Sequence, residues 1–134
     1  MKQIDFFKNT LIYCEDTKET CQGYTAYAKS KHWRKIRTQK LKEQPQCYIC
    51  NKKKTPKSKT KFNAHHRNYK NLGHEIISED LVTLCESCHK FIHKYKTDYP
   101  NLIDLPPEQI KQFKKLQRQM AKKAKWSKYN IEVK

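Results

Sequence analysis

Six cysteines and six histidines carry most of the chemistry available to this chain of 134 residues. Four of the cysteines repeat one spacing, as Cys47-Tyr-Ile-Cys50 and Cys85-Glu-Ser-Cys88. Two intervening residues let both sulfurs turn toward one ion, and two such knuckles complete a tetrahedral site. Thiolate ligands favour a soft or borderline metal, so a structural zinc ion is expected. The 34 residues between Cys50 and Cys85 exceed the common ribbon spacing, so a folded segment is expected between the knuckles. The alternatives are four buried reduced cysteines, or a redox pair on one knuckle. Cys14 and Cys21 have no nearby histidine. They read as ordinary reduced cysteines, with a disulfide or a second zinc as the alternatives.

The histidines fall partly into pairs. His65 and His66 are adjacent at the end of a candidate strand, where their side chains must diverge, one able to bind a metal and the other to face a substrate. His89 and His93 are four apart on a candidate helix that begins at the second knuckle, so both imidazoles lie on one face. That pair is half a metal site, and His65 is the expected third ligand. The alternatives are a solvated pair at 65–66 and an extra zinc ligand at His89 or His93. His32 and His74 read as surface residues.

Several elements must position these groups. Ser30 can cap a helix running to about Lys42, with Trp33, Ile36, Arg37, Lys40 and Leu41 along one side, and Pro45 ends it. Residues 51–61 read as an exposed loop, Phe62-Asn63-Ala64 and Leu81-Val82-Thr83-Leu84 as strands, and 86–96 as a helix. Pro106-Pro107 open a last helix with Ile110, Phe113, Leu116 and Met120 as its apolar stripe. Residues 4–13 read as a short helix or an arm. The expected division is an N-terminal arm or helix over 1–29, a central domain over 30–96, and a basic C-terminal helix and tail over 97–134.

Charge narrows the function classes. Thirty Lys or Arg against 13 Asp or Glu give a formal charge of +17. Residues 30–61 alone carry a net +11 and residues 105–134 a net +7, whereas 75–86 holds four acids and no Lys or Arg. Such a balance calls for a polyanion, either nucleic acid or an anionic membrane surface. With 36 % hydrophobic residues the core is small and needs a staple, which the four cysteines can supply. The absence of a long apolar run or an apolar leader makes a cytoplasmic protein the expectation.

The ordered set Cys47-x-x-Cys50, Ala64-His65-His66, Leu72-Gly73-His74-Glu75, Asp80-Leu81-Val82-Thr83-Leu84-Cys85-x-x-Cys88-His89-x-x-x-His93 resembles the HNH endonucleases, above all the small zinc-knuckle proteins of phages and bacteria. The segment from Lys31 to Arg37 is similar to the helix that often precedes the first knuckle in that family. The resemblance covers residues 30–95. It implies a small α+β fold: a ββα-metal core stapled by a four-cysteine zinc site, with flanking N- and C-terminal helices. His66 would then be the general base, an imidazole suiting that role near neutrality. His65, His89 and His93 would hold one divalent ion, as in the colicin nucleases. The ion would neutralise charge at the phosphate and the leaving 3′ oxygen, giving a 5′-phosphate and a 3′-hydroxyl. Zn2+, Mn2+ or Ni2+ suits three imidazoles better than Mg2+ does.

One position departs from the family. Asp80 stands where the family has asparagine, which stiffens a loop and orients the base. An aspartate can accept the loop's hydrogen bonds or orient His66, but when ionised it cannot donate. Glu75 is expected to bond the loop, with support of the site as the lesser role, and Gly73 to serve a turn. Arg34, Arg37, Lys52, Lys53, Lys54 and Arg67 are the expected phosphate contacts, supplying affinity without sequence preference. Two functions compete. One is a metal-dependent endonuclease acting on DNA, with RNA also possible. The other is a non-catalytic zinc-stabilised DNA-binding or assembly factor, with the C-terminal helix offered to a protein partner.

Overall fold

A computed structural model describes residues 10–128. Among them, β1 (Leu11–Cys14) and β2 (Glu19–Gln22) form one antiparallel pair, followed by α1 (Gly23–Ala28) and α2 (Lys31–Glu43). Next come β3 (Phe62–His66), a short α3 (Ile77–Asp80), β4 (Leu81–Cys85) and α4 (Glu86–Tyr95). A 3-10 turn, Leu102–Asp104, leads into α5 (Pro107–Lys128). The described chain is thus a small α+β structure with two two-stranded antiparallel sheets and five helices. It divides into two compact units, Met1–Lys90 and Phe91–Lys134, and the boundary falls inside α4.

Local chemistry accounts for the elements that carry the site. Ser30 is extended and its hydroxyl accepts the Trp33 N–H at 3.0 Å, a cap contributing about 1 kcal/mol to α2. His32, Ile36, Lys40 and Leu41 form the buried side of that helix. The helix ends before Pro45, and the Gln44 side chain accepts the Thr83 N–H at 2.9 Å, tying the end of α2 to β4. All five residues of β4 are buried, as expected of a strand covered on both faces. Its register sets Val82 opposite His65 and Leu81 opposite His66.

The N-terminal region differs from the helix or arm expected over 4–13. Residues 1–9 lie outside the described part, and Leu11–Cys14 is a strand. Its burial alternates: Leu11 and Tyr13 are 69 % and 53 % exposed, while Ile12 and Cys14 point into a core shared with Cys21 and Tyr27. Period-two burial over so few residues is weak in sequence, where Leu, Ile and Tyr in a row suit either element. Tyr24, Trp33 and Leu72 pack on that core. Gly73 completes it, with φ at +97°; a Cβ there would stand 2.2 Å from the Tyr13 carbonyl oxygen. Only glycine fits this contact between the loop before α3 and β1.

In the second unit, the rings of Phe91, Tyr95, Tyr99 and Phe113 cluster at centroid distances from 4.9 to 6.4 Å. Ile110 is buried, whereas Leu116 and Met120 of the expected stripe are about half exposed. No helix among the described residues is long and apolar enough to cross a membrane.

Candidate metal centres and a buried histidine network

The two knuckles converge. The sulfurs of Cys47, Cys50, Cys85 and Cys88 all lie within 4.8 Å of one another, with Cys50 and Cys85 at 3.7 Å. The Cys47 N–H donates to the Lys52 carbonyl and the Asn51 N–H to the Cys47 carbonyl, closing the first knuckle. Asn51 takes a φ of +62°, a turn that asparagine tolerates better than most residues. The second knuckle passes from the last residue of β4 into the first turn of α4. A hydrogen bond from Cys88 holds the Cys47 thiol well below the usual thiol range, leaving one sulfur ready as a thiolate. Four sulfurs so placed could hold a structural ion such as zinc.

The second group is made of imidazoles. One ring nitrogen from each of His65, His89 and His93 falls within the same 4.8 Å limit. His65 is 4 % exposed, His89 half-buried and His93 exposed, so the group opens on one side. Desolvation of the His93 ring, aided by Lys96, lowers its pKa and favours the neutral form that ligates metals. The rings of His65 and His89 meet edge to face at 5.5 Å. Three nitrogen donors with an open side suit a divalent ion that keeps a free position. No carboxylate belongs to the group.

His66 points the other way, because successive side chains on a strand alternate. It is 3 % exposed, and its ring stacks on Trp33 at 4.7 Å with 22° between the planes. Its Nε2 donates to Oε2 of Glu75 at 2.7 Å, and its Nδ1 lies 3.5 Å from the Tyr24 hydroxyl. Glu75 Oε2 also accepts from the Tyr27 hydroxyl, while Oε1 accepts from His32 Nε2 at 2.7 Å and the Gly73 N–H at 3.1 Å. Burial alone would push the Glu75 carboxyl up, but the bonds from His66, Tyr27 and His32 outweigh it and hold it at about 2.

Two expectations change here. His32 is not a surface residue: it is 2 % exposed and bonded at both ring nitrogens, to Glu75 and to Asp16 at 2.7 Å. Glu75 does bond its loop through Gly73, yet most of its bonds go to the two histidines and Tyr27. A signal for His32 exists, since it lies one position before Trp33 and four before Ile36 on the buried side of α2. Asp16 lies in the turn between β1 and β2, and no spacing rule joins it to His32. His74 is exposed, as expected.

Asp80 accepts at Oδ2 from the Asn71 side-chain amide and from the Ile76 N–H, both at 2.8 Å. Of its two anticipated roles, this is the stiffening of the loop. Among the cationic residues, Arg34, Lys52, Lys53 and Lys54 are exposed, and the Arg67 guanidinium lies 4.9 Å over the Tyr48 ring. Arg37 donates to the Phe62 carbonyl at 3.4 Å and joins Lys42, Lys54 and Lys61 along a groove of about 530 Å³. Cys14 and Cys21 are both buried free thiols on one face of the hairpin.

No family model matches this chain, and neither does any curated protein or solved structure with which it was compared.

Proposed function

We propose that this chain is a metal-dependent endonuclease that hydrolyses DNA phosphodiester bonds, its segment from β3 through β4 to α4 serving as an HNH-type ββα-metal core. The observation that carries this reading is the convergence of His65, His89 and His93, with His89 directly following Cys88 of the converged four-cysteine group. His65, His89 and His93 hold the catalytic ion, and Cys47, Cys50, Cys85 and Cys88 the structural zinc. A divalent ion bound there supplies neutralisation of the charge that develops on the phosphate and the leaving oxygen.

The remaining chemistry belongs to the chain itself. His66 gives its Nε2 proton to a hydrogen bond with Glu75, so the lone pair sits on Nδ1. That nitrogen takes the proton of the attacking water, while Trp33 fixes the ring plane. Asp80 anchors the loop that carries Glu75. Arg34, Arg37, Arg67 and the lysines at 52–54 attract and seat the phosphate backbone without reading bases.

One observation favours a second reading, a zinc-stabilised DNA-binding or assembly factor that performs no cleavage. His66 is 3 % exposed, and the Tyr24 hydroxyl covers its Nδ1. A plasmid-nicking assay decides between them, with zinc, manganese, nickel and magnesium added separately to wild type, His66→Ala and His89→Ala. The endonuclease reading expects cleavage by wild type and loss in both variants. Wild type that cuts no better than the variants with any ion leaves the binding factor.

A further inference from the structure

Four ionisable side chains from four segments form one line through the first unit: Asp16 in the β1–β2 turn, His32 in α2, Glu75 in the loop before α3 and His66 at the end of β3. Each successive contact is 2.7 Å. The Glu75 side chain has no exposed surface, and its oxygens receive four donors, which fills a carboxylate's capacity. Asp16 also accepts from Lys35 Nζ at 2.6 Å and from the Thr17 N–H at 2.8 Å. Burial would raise the Asp16 carboxyl, but Lys35 and His32 hold it at about 2. Both acids are therefore acceptors, and the His32 ring stands between two carboxylates with one nitrogen against each. Its backbone is fixed as well, because the His32 N–H donates to Glu19 Oε1 at 2.9 Å.

This arrangement constrains Glu75 from one end and His66 from the other. Without the His32 donor, Oε1 keeps only the Gly73 N–H, and the carboxylate can turn about its last torsion. Turning moves Oε2 off His66 Nε2, and the His66 proton is then free to sit on either nitrogen. Trp33 holds the ring plane but not the tautomer. Asp16 sets the orientation of His32 in the same way that Glu75 sets that of His66.

We infer that Asp16 and His32 are positioning residues for His66, acting through Glu75 to keep its proton on Nε2 and its lone pair on Nδ1. Their consequence for cleavage rests on the endonuclease reading; their effect on the His66 tautomer does not. Both are supplied by segments outside the β3–β4–α4 unit, so the N-terminal hairpin and α2 complete the site.

The test uses the full chain, labelled with 15N, as wild type, His32→Gln and Asp16→Asn. Long-range 1H–15N spectra at one fixed pH read the protonation pattern of each imidazole. Wild type should show the His66 proton on Nε2. His32→Gln should give His66 a mixed-tautomer pattern, and kcat for plasmid nicking should fall about 10- to 100-fold with KM within about twofold. Asp16→Asn, at a position with 30 % side-chain exposure, preserves the test if the first variant fails to fold; it should give a smaller shift in the same direction. Folded variants in which His66 keeps the pure Nε2-protonated pattern overturn the inference. If these variants also nick as fast as wild type, the endonuclease reading stands alone. A shifted tautomer in a chain whose wild type cuts nothing means the reverse: the positioning holds and the endonuclease reading fails.

Discussion

Two adjacent histidines on one strand meet opposite surroundings. His65 turns toward α4 and finds two more imidazoles, with no carboxylate in the group. His66 turns toward α1, α2 and the loop before α3, and finds a buried carboxylate, a tryptophan face and three tyrosines. Strand alternation separates them, and the partners then decide the chemistry. Three ring nitrogens gathered within 4.8 Å of one another could hold a metal ion. An imidazole whose Nε2 proton is committed to a carboxylate has one nitrogen fixed as donor and the other as acceptor. The same residue type joins a group that could hold a metal ion on one face and is an oriented ring on the other.

The largest effect removes both faces at once. Cys85 ends β4 and sits at the head of α4, so losing its thiolate should free the helix that brings His89 to His65. Cys85→Ser is expected to lose the structural zinc and the cooperative melt, because binding of about 10–16 kcal/mol is part of the folding energy of such sites. Metal analysis together with a circular-dichroism melt reads this. A variant that keeps its metal and its melting transition would mean that the four sulfurs do not staple the fold.

Next comes a change confined to the His65 face. His89→Ala should lower the count from two ions per chain to one and cut nicking by about 100-fold or more, the scale of losing one group that stabilises transition-state charge. The melt should hardly move, since the knuckles and the Glu75 network remain. An unchanged count would remove the imidazole centre from the comparison.

The His66 face is broken by acid. The Glu75 carboxyl lies at about 2 in the folded chain against an ordinary value of 4.5. Its folded value is depressed, so its stabilisation is complete above pH 4.5 and is lost as pH falls toward about 2. The contribution at stake is about 3 kcal/mol. Asp16 acts in the same direction and window, weakened by its partial exposure. Glu75→Gln should be less stable than wild type above pH 4.5 and lose less on acidification. Near-ultraviolet circular dichroism, sensitive to Trp33 on His66, follows the transition.

How much of this was legible depended on whether a signal was local. The knuckle spacing, the Ser30 cap, the Pro45 stop and the four-residue interval on α4 each fix geometry within a few residues, and the elements follow them. The placement of His65 beside α4 also follows, because strand alternation and an antiparallel return leave few other arrangements. The partners of His66 were not legible. Asp16 and His32 are 16 residues apart, and His32 and Glu75 are 43 apart. Their contacts depend on a four-residue strand whose period-two burial was too short to read, and on Gly73 allowing the loop to reach Tyr13. Burial of a histidine is also hard to foresee, since it needs partners for its ring nitrogens that only tertiary structure supplies.

The smallest expected effect concerns what both faces would share, the attraction of the substrate. Lys52, Lys53 and Lys54 lie on an exposed loop, apart from either histidine group in sequence and held by the backbone through the Lys54 N–H to Pro45 and the Cys47 N–H to Lys52. These bonds survive replacement of the side chains, so a triple alanine variant should fold as wild type. Each lysine that contacts a phosphate releases a counterion, worth about 0.9 in the slope of log affinity against log salt. The triple variant should therefore bind duplex DNA with a slope shallower by about 1 to 3, while kcat at saturating DNA stays unchanged. Binding measured by fluorescence anisotropy across a salt series supplies the slope. A slope equal to that of wild type would assign the lysine run to solvent and leave Arg34, Arg37 and Arg67 as the cations that hold the backbone. A lower kcat would show that the loop also shapes the site, making the two faces of β3 less independent of their surroundings than their chemistry suggests.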